Sequence, residues 1–217
     1  MANKMALNPK KCLTMDVCFS RQRPESTILT PQADTLQCCE SVKLLGVHIQ
    51  ANLKWNSHVE YMVKRANSRL YLLRTLKYYI LTIPDLVNIY ISFVRPVLEY
   101  ATPVWSGGLS KGQCQMIEQV QKRACRVILG AQYTGYDAAL TQCGLRRLEE
   151  RRSRLCLSFA KSFQLPSCRL NYLLPPKRHR AYNTRNGRTR ETCNCRTNRF
   201  YNSPMPYLSR ILQIEEH

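Results

Sequence analysis

The apolar residues between Val59 and Leu73 recur every three or four positions, and this period constrains the fold more than any other feature of the chain. Such spacing is typical of an amphipathic α-helix whose apolar stripe packs against a core. Ser57 followed by Glu60 matches a capping box, in which the two residues satisfy backbone N–H groups of the first turn. The sequence therefore predicts a long helix that begins at Ser57 and presents basic residues outside its stripe.

Three further helices are predicted downstream. The first begins at Pro84 and is expected to kink or end at Pro96, because proline lacks the N–H that an internal helical position donates. The second is capped by Ser110 and ends at Gly130, a residue suited to a left-handed C-terminal position. The third runs from about 148 to 163.

The apolar stripes of the last two helices are regular except for one arginine in the third helix. Met116 belongs to the predicted stripe of the second, and Leu155 and Phe159 belong to that of the third. Arg152 also falls within the third stripe and departs from the pattern. We expect this side chain either to snorkel to solvent or to face something other than a core.

The first fifty residues predict strands instead. Residues 13–19 alternate, with apolar side chains at every second position, and this period favours a strand. Residues 41–50 have a continuous apolar centre, which suits a strand covered on both sides.

After Gln164 the chain is polar, basic and interrupted by prolines, and we expect a loosely ordered tail. The predicted fold is therefore mainly α with a small β part. It is divided into an N-terminal region of two or three strands over residues 1–52, a helical region over 53–164, and a basic tail over 165–217.

The charge of the chain points to a polyanionic partner. Lys and Arg number 33 against 14 Asp and Glu, a formal net charge of +19. Residues 140–200 hold 15 of the basic residues and only three acidic ones. A basic excess of this size favours a nucleic acid, although a solvated basic surface is the alternative. Tyrosines spread among the tail arginines favour stacking on bases, or else a surface wrap.

Catalytic chemistry is not predicted. The four aspartates, at positions 16, 34, 85 and 137, are never adjacent, and the internal pair Glu149-Glu150 is explained by a helix start between arginines. His58 and Glu60 diverge on a helix and do not suit an iron site. No phosphate-binding glycine loop occurs. We expect no enzyme activity, no cofactor and no metal.

One zinc alternative stays open. Cys168, His179, Cys193 and Cys195 supply four ligand side chains, but not the usual spacing within each ligand pair. The eleven cysteines follow no regular framework, the N-terminus has no apolar leader, and no apolar segment is long enough to cross a membrane. We expect an intracellular protein, nuclear or cytoplasmic, without a membrane partner.

Six segments follow one another along nearly the whole chain: LNPKKCLTMDVCFSR, VKLLGVHIQANLKWNSHVEYMVKRANSRLYLLRTL, IYISFVRPVLEYATPVWSGG, IEQVQKRACRVILG, CGLRRLEERRSRL and CRTNRFYNSPMPYLSRIL. In this order and spacing they resemble the C-terminal part of a reverse transcriptase from a non-LTR, LINE-type retrotransposon of the Jockey-like group. The opening NPKKCLTMDVCFSR segment is also similar to a short region named after the N-terminus of AlkB-type tRNA methyltransferase/dioxygenase homologues, although the chain holds no matching iron or cofactor motif.

The resemblance implies a role for each segment. It makes residues 8–19 the last palm strand, Leu45, Gly46 and Val47 part of the primer-grip strand, and residues 55–76 the first thumb helix. Residues 92–105 match the family's RPxLEYxxPVW segment, read as the apolar packing centre of a helical thumb. There we expect a turn at Thr102-Pro103 and an Arg95–Glu99 pair on one helix face.

The family's fingers and metal-binding aspartates would precede Met1, so the resemblance implies a truncated fragment that grips RNA or DNA without polymerising. The candidate contacts to the nucleic-acid backbone are Lys64, Arg65, Arg69, Lys122, Arg126, Arg151 and Arg154. A second hypothesis is a non-functional or protein-interacting remnant, which associates with missing palm and fingers or with itself through an uncovered apolar strand face. A third is an enzyme with a hidden metal site.

Overall fold

The computed structural model describes residues 8, 12–18, 36–79, 81–165, 167–176, 191 and 193–215. Of these residues, 64% are helical and 7% lie in strands, so the prediction of a mainly α fold with a small β part is confirmed. The chain divides into two compact units, Met1–His58 and Val59–His217. The predicted boundaries at residues 52 and 164 stay predictions. No helix in the described part of the chain is long and apolar enough to cross a membrane.

The first unit contains two small strand pairs. β1 (Leu13–Thr14) is parallel to β2 (Gln37–Cys38), and β3 (Ser41–Leu44) is antiparallel to β4 (Val47–Gln50). The predicted strand over 13–19 is therefore too long, since the backbone of the described residues leaves the strand after Thr14. Its last predicted residue, Phe19, lies outside the described residues.

The segment 41–50 is a hairpin rather than one strand covered on both sides. Leu44 pairs with Val47, which leaves Leu45 and Gly46 as a two-residue turn. Their φ angles are 47° and 86°, the left-handed values that this kind of turn requires and that glycine adopts freely. Leu45 is 83% exposed. The single-strand prediction is wrong because these two residues reverse the chain.

Helix α1 (Asn56–Tyr78) confirms the apolar stripe. Its stripe residues from position 59 onward are buried, namely Val59, Met62, Ala66, Leu70 and Leu73. The predicted capping box at Ser57 and Glu60 is wrong, because the helix already begins at Asn56 and Ser57 lies inside the first turn. The Ser57 backbone N–H donates instead to Gln50 Oε1 at 3.2 Å.

Eight further helices are described in the second unit, in chain order: α2 (Ile83–Ile89), α3 (Arg95–Glu99), α4 (Thr102–Trp105), α5 (Lys111–Leu129), α6 (Tyr136–Gln142), α7 (Leu148–Ser162), α8 (Asn198–Tyr201) and α9 (Pro204–Glu215). Two capping boxes begin α2 and α5. Thr82 and Asp85 form the first, and Ser110 and Gln113 form the second, as the sequence predicts for Ser110.

Pro96 does not end the helical segment that precedes it. A π-helical turn over Tyr90–Val94 joins α2 to α3, and the Arg95 N–H donates to the Tyr90 carbonyl five residues back. Pro96 consequently stands in the first turn of α3, where a missing N–H is tolerated. The predicted turn at Thr102-Pro103 is likewise the first turn of α4, after Ala101 with a φ of 51°.

The segment 92–105 packs inward only in part, since Phe93, Tyr100 and Val104 are 39–55% exposed. Val94, Leu98 and Trp105 have no exposed surface. The Trp105 indole N–H donates to the Tyr100 carbonyl at 2.9 Å, so its polar group is satisfied despite burial. The chain holds an apolar, aromatic segment at its centre because several helices converge on it.

The stripes of α5 and α7 differ in detail from the prediction. Met116 is 41% exposed, and Leu155 and Phe159 are 36% and 40% exposed. Arg152, in contrast, is 2% exposed and hydrogen-bonds Cys114. It therefore does not snorkel. Arg152 faces the interior, whereas Leu155 is exposed.

The predicted loose tail is wrong for residues 204–215. Helix α9 packs on α7 through one apolar cluster, which consists of Cys156, Ala160, Phe163, Leu174, Leu208 and Leu212. The tail forms a helix here because Leu208 and Leu212 are four residues apart and lie on one face.

Candidate nucleic-acid interface

The outer face of α1 carries the clearest concentration of positive charge. Residues 61–81 contain five Lys or Arg and no acidic residue. Lys64, Arg65 and Arg74 are exposed on this helix. Within the described ranges, no ion pair engages any of the three. Their charges are therefore uncompensated by the neighbouring described side chains.

Helix α5 is tied to α1 by two polar contacts. Arg123 Nη1 donates to Asn67 Oδ1 at 3.2 Å. Lys77 Nζ donates to the carbonyls of Val127 and Ile128 at 2.6 and 3.0 Å. These carbonyls belong to the last turn of α5, where no N–H group of the same helix donates to them. The contacts therefore hold α1 and α5 together, with Arg123 of α5 at Asn67 of α1.

We call the five exposed cations of these two helices the basic face: Lys64, Arg65, Arg74, Arg123 and Arg126. Arg123 and Arg126 are exposed on α5, and the Arg126 guanidinium lies 5.3 Å from the centre of the Tyr133 ring. No ion pair is found for these two arginines in the part of the chain that the structure describes. Exposed guanidinium and ammonium groups suit contacts with phosphates.

Two predicted contact residues are held near aromatic rings instead. The Arg69 guanidinium lies 4.3 Å from the centre of the Phe93 ring and donates to the Phe93 carbonyl. Lys122 Nζ lies 5.1 Å from the centre of the Tyr136 ring, and its side chain is half-buried. Both cations pack against the protein, so they are less available to a ligand than the basic face.

Arg151 and Arg154 lie outside the basic face and are neutralised by carboxylates. Arg151 donates to Glu99 from Nε and Nη2 at 2.5 and 3.0 Å, and this bond raises the pKa of Arg151. Arg95 completes the group at 3.7 Å from Glu99, which confirms the predicted Arg95–Glu99 pair. Arg154 pairs with Glu150 at 2.8 Å.

Two exposed cations of the basic face, Arg74 and Arg123, are absent from the predicted contacts. The helical spacing contains a usable signal, since Arg123 lies seven residues after Met116 and three before Arg126, both exposed. Lys122 is the neighbouring choice that the apolar pattern favours. One residue of rotation on a helix, about 100°, separates the two directions.

A buried polar network fixes the angle of α5. Tyr90 donates to Gln121 Oε1 at 2.7 Å, and Gln121 Nε2 donates to Tyr136 Oη at 2.9 Å. Tyr136 donates in turn to Glu118, which also accepts the Leu148 N–H at 3.2 Å. Burial and the bond to Glu118 raise the pKa of Tyr136, so the phenol stays protonated. Because each member is satisfied, the network holds four helical segments in one arrangement.

The residues predicted as a primer grip occupy the hairpin of the first unit. Leu45 and Gly46 form its turn, and Val47, 6% exposed, begins β4. The prediction that Leu45 and Gly46 lie in a strand is therefore wrong.

One cleft of the second unit, lined by residues of α5 and the start of α7, has a volume of about 690 Å³. Glu118, Glu149, Lys122 and Arg147 line it together with Cys114. Glu118 already accepts bonds from Tyr136 and Leu148, which leaves it poorly suited to act as a free base.

No three metal-ligating side chains lie together among the residues that the structure describes. Of the predicted zinc set, Cys168, Cys193 and Cys195 are described and partly or fully exposed, while His179 lies outside the described residues. His58 is buried and accepts the His48 N–H at 3.4 Å, whereas Glu60 is exposed. The two side chains therefore do not form an iron site.

Comparison of the chain with protein-family models, with curated proteins and with solved structures finds no match in any of the three. The candidate interface therefore has to be judged on its own geometry and charge.

Proposed function

We propose that the chain binds the backbone of nucleic acids through the basic face, independently of sequence, and that it corresponds to the palm edge and thumb of a non-LTR retrotransposon reverse transcriptase. One observation carries the binding proposal. Five exposed cations on α1 and α5 have no ion-pair partner among the described residues, whereas Glu99 and Glu150 pair with other arginines.

The physical reason is the release of counterions from the nucleic acid. Each phosphate that a Lys or Arg neutralises frees a condensed cation, so affinity falls as salt rises. Flexible side chains on a helix contact phosphates without reading bases, and such contacts give no sequence preference. The face therefore suits a grip on a backbone rather than recognition of a site.

The resemblance of the six segments supports the lineage, and the chemistry of the chain supports a binding role over a catalytic one. Polymerases hold divalent ions with clustered aspartates. The four aspartates of this sequence are separated by at least 18 residues. Of the two carboxylates that line the cleft beside α5, Glu118 and Glu149, Glu118 is occupied by hydrogen bonds.

The experiment is a salt titration of the purified chain against a fluorescently labelled RNA–DNA hybrid, followed by anisotropy. With about five phosphates neutralised, the logarithm of the binding constant should fall with the logarithm of salt at a slope of about −4.5. Scrambling the sequence of the hybrid should leave the slope and affinity unchanged. A slope near zero, or no binding at low salt by a folded chain, contradicts the proposal.

A second function has one observation in its favour. In the first unit, Leu13, Val17, Leu44 and Leu45 are 44–83% exposed, an apolar surface beside short strands with open edges. We propose self-association, or association with a partner protein, through these residues as the alternative. Light scattering tests self-association: a mass that rises with concentration supports it, and a monomer at all concentrations contradicts it.

A further inference from the structure

Three tyrosines at the C-terminal end of α1 project into solvent. Tyr71 is 72% exposed, Tyr78 85% and Tyr79 69%. The rings of Tyr78 and Tyr79 meet edge to face, with centres 5.9 Å apart. Large aromatic rings in an exposed group are unusual on a free surface and commonly mark a binding site.

The tyrosines continue two rows that begin with basic residues. Lys64, Tyr71 and Tyr78 are seven residues apart and lie on one line along the outer face of the helix. Arg65 and Tyr79 begin and end a neighbouring row with the same spacing. Each step of seven residues advances about 10.5 Å along the axis. One side of α1 therefore presents cations at its beginning and aromatic rings at its end.

The composition of this face selects its occupant. Residues 61–81 contain no carboxylate, so an apolar protein partner would have to cover several cations without pairing them. A nucleic acid supplies both complements, because its phosphates pair with Lys and Arg and its bases have π-faces. A continuous duplex keeps its bases stacked on one another, and only unpaired bases are free to cover the rings.

We propose that the tyrosine group Tyr71, Tyr78 and Tyr79 stacks unpaired bases of a single-stranded nucleic acid while Lys64, Arg65 and Arg74 hold its phosphates. This inference rests on the proposed backbone-binding function and names the strand type that the same helix takes. Single strands are bound in this way when aromatic rings follow a positively charged track. Arg74 lies between the first two rings in sequence and supplies the charge nearest to them.

The test compares three labelled ligands of equal phosphate number against the full chain: a single-stranded RNA, an abasic single strand and a blunt duplex. The variants are Tyr78→Ala/Tyr79→Ala and, as matched control, Tyr78→Phe/Tyr79→Phe, which keeps both rings. Because the side chains are exposed, both variants should have the same Tm as the wild type.

Stacking predicts a loss of about fivefold to a hundredfold in RNA affinity per base stacked for the Ala variant. The Phe variant should bind as the wild type does. The salt slope should be the same for all three proteins, since no phosphate contact is removed. The wild type should prefer RNA to the abasic strand, and the Ala variant should lose this preference.

Equal affinity of the wild type for RNA and the abasic strand, or an unchanged affinity of the Ala variant, overturns the inference while leaving backbone binding in place. Failure of all three ligands to bind at low salt overturns the proposed function as well. A concentration-dependent mass that the Ala variant alone abolishes, with unchanged RNA affinity, assigns the tyrosines to a protein contact and also overturns the inference.

Discussion

Replacing Lys77 by Met removes the ammonium group that joins α1 to the end of α5. Its Nζ donates to Val127 O and Ile128 O, two carbonyls of the last turn of α5. Such carbonyls lack partners within their own helix, and a positive charge beside them is also favoured by the helix dipole. Methionine retains an unbranched apolar stem and loses both bonds.

The magnitude follows from the geometry. A hydrogen bond from a charged donor contributes about 1.5–3 kcal/mol, and the two bonds share one half-buried group. We expect Lys77→Met to lower the free energy of unfolding of the second unit by about 2 kcal/mol. For a unit of this size, that corresponds to a fall in Tm of about 4–8 °C.

The assay is thermal unfolding followed by circular dichroism, with Lys64→Met as matched control. Lys64 is exposed, so its replacement should leave Tm within about 1 °C of the wild type. In the binding assay below Tm, Lys64→Met rather than Lys77→Met should change the salt slope. Lys64→Met should reduce the salt slope by about 0.9, and Lys77→Met should leave it unchanged, since its charge faces carbonyls rather than solvent.

Two results would refute this reasoning. If Lys77→Met melts with the wild type, the ammonium group does not hold the two helices together. If Lys77→Met reduces the salt slope as much as Lys64→Met does, its charge contacts phosphate and the assigned bonds to α5 are wrong.

Three other predictions concern packing and ionisation. A Cβ on Gly107 would lie 2.6 Å from the ring of Tyr207 in α9 and 2.9 Å from the Asn202 carbonyl oxygen, so Gly107→Ala should lower Tm by several degrees. A Cβ on Gly112 would meet only Ser110 Oγ at 4.0 Å, so Gly112→Ala should not lower Tm; an equal Tm for the two variants contradicts the packing. Burial raises the pKa of Cys125 to about 12, so iodoacetamide at pH 8 should label exposed Cys38 and spare Cys125 until denaturant is added; rapid native labelling of Cys125 contradicts its burial. Burial, assisted by a neighbouring histidine, lowers the pKa of His58 from 6.5 to about 4, so the unfolded chain binds its proton first and stability is lost as pH falls from about 6.5 to 4. Urea midpoints at both pH values should show this loss, and His58→Asn should reduce it; the same pH dependence in the variant would exclude His58 as its source.

The helices were predictable where apolar periodicity and capping residues agree. Ser110 with Gly130 bounds α5, and the stripe from Val59 to Leu73 defines the buried side of α1. These signals are local, because a cap or a stripe depends only on residues one or two turns apart. The paired Arg95 and Glu99, four residues apart, were accessible for the same reason.

The errors arise where local rules are overridden by contacts between distant segments. Pro96 predicts a kink or an end of the helix, but a π-helical turn precedes it and places it in the first turn of α3. Leu45-Gly46 looks like part of an apolar strand, yet its backbone reverses the chain. Arg152 is buried by helices whose packing no sequence period reports.

The candidate site was predictable in kind but only partly in its members. The excess of Lys and Arg indicates a polyanion, and Lys64, Arg65 and Arg126 lie on the exposed face. Arg151 pairs with Glu99, which is 52 residues away in sequence, so only the folded structure reveals this contact. Arg123 depends on the rotation of α5, which the buried network around Gln121 sets.

The most direct measurement compares two triple variants in the salt titration against the RNA–DNA hybrid. Lys64→Gln/Arg65→Gln/Arg74→Gln removes three charges from the basic face. Arg146→Gln/Arg147→Gln/Arg154→Gln removes three charges that pair with Asp137 and Glu150. The net charge changes equally in both.

If the basic face grips the backbone, the first variant should reduce the magnitude of the salt slope by about 2.7, and the second should change it by less than about 1. Equal reductions in the two variants would mean that net charge alone attracts the nucleic acid. A larger reduction in the second would place the interface on α7 and contradict the assignment to α1 and α5.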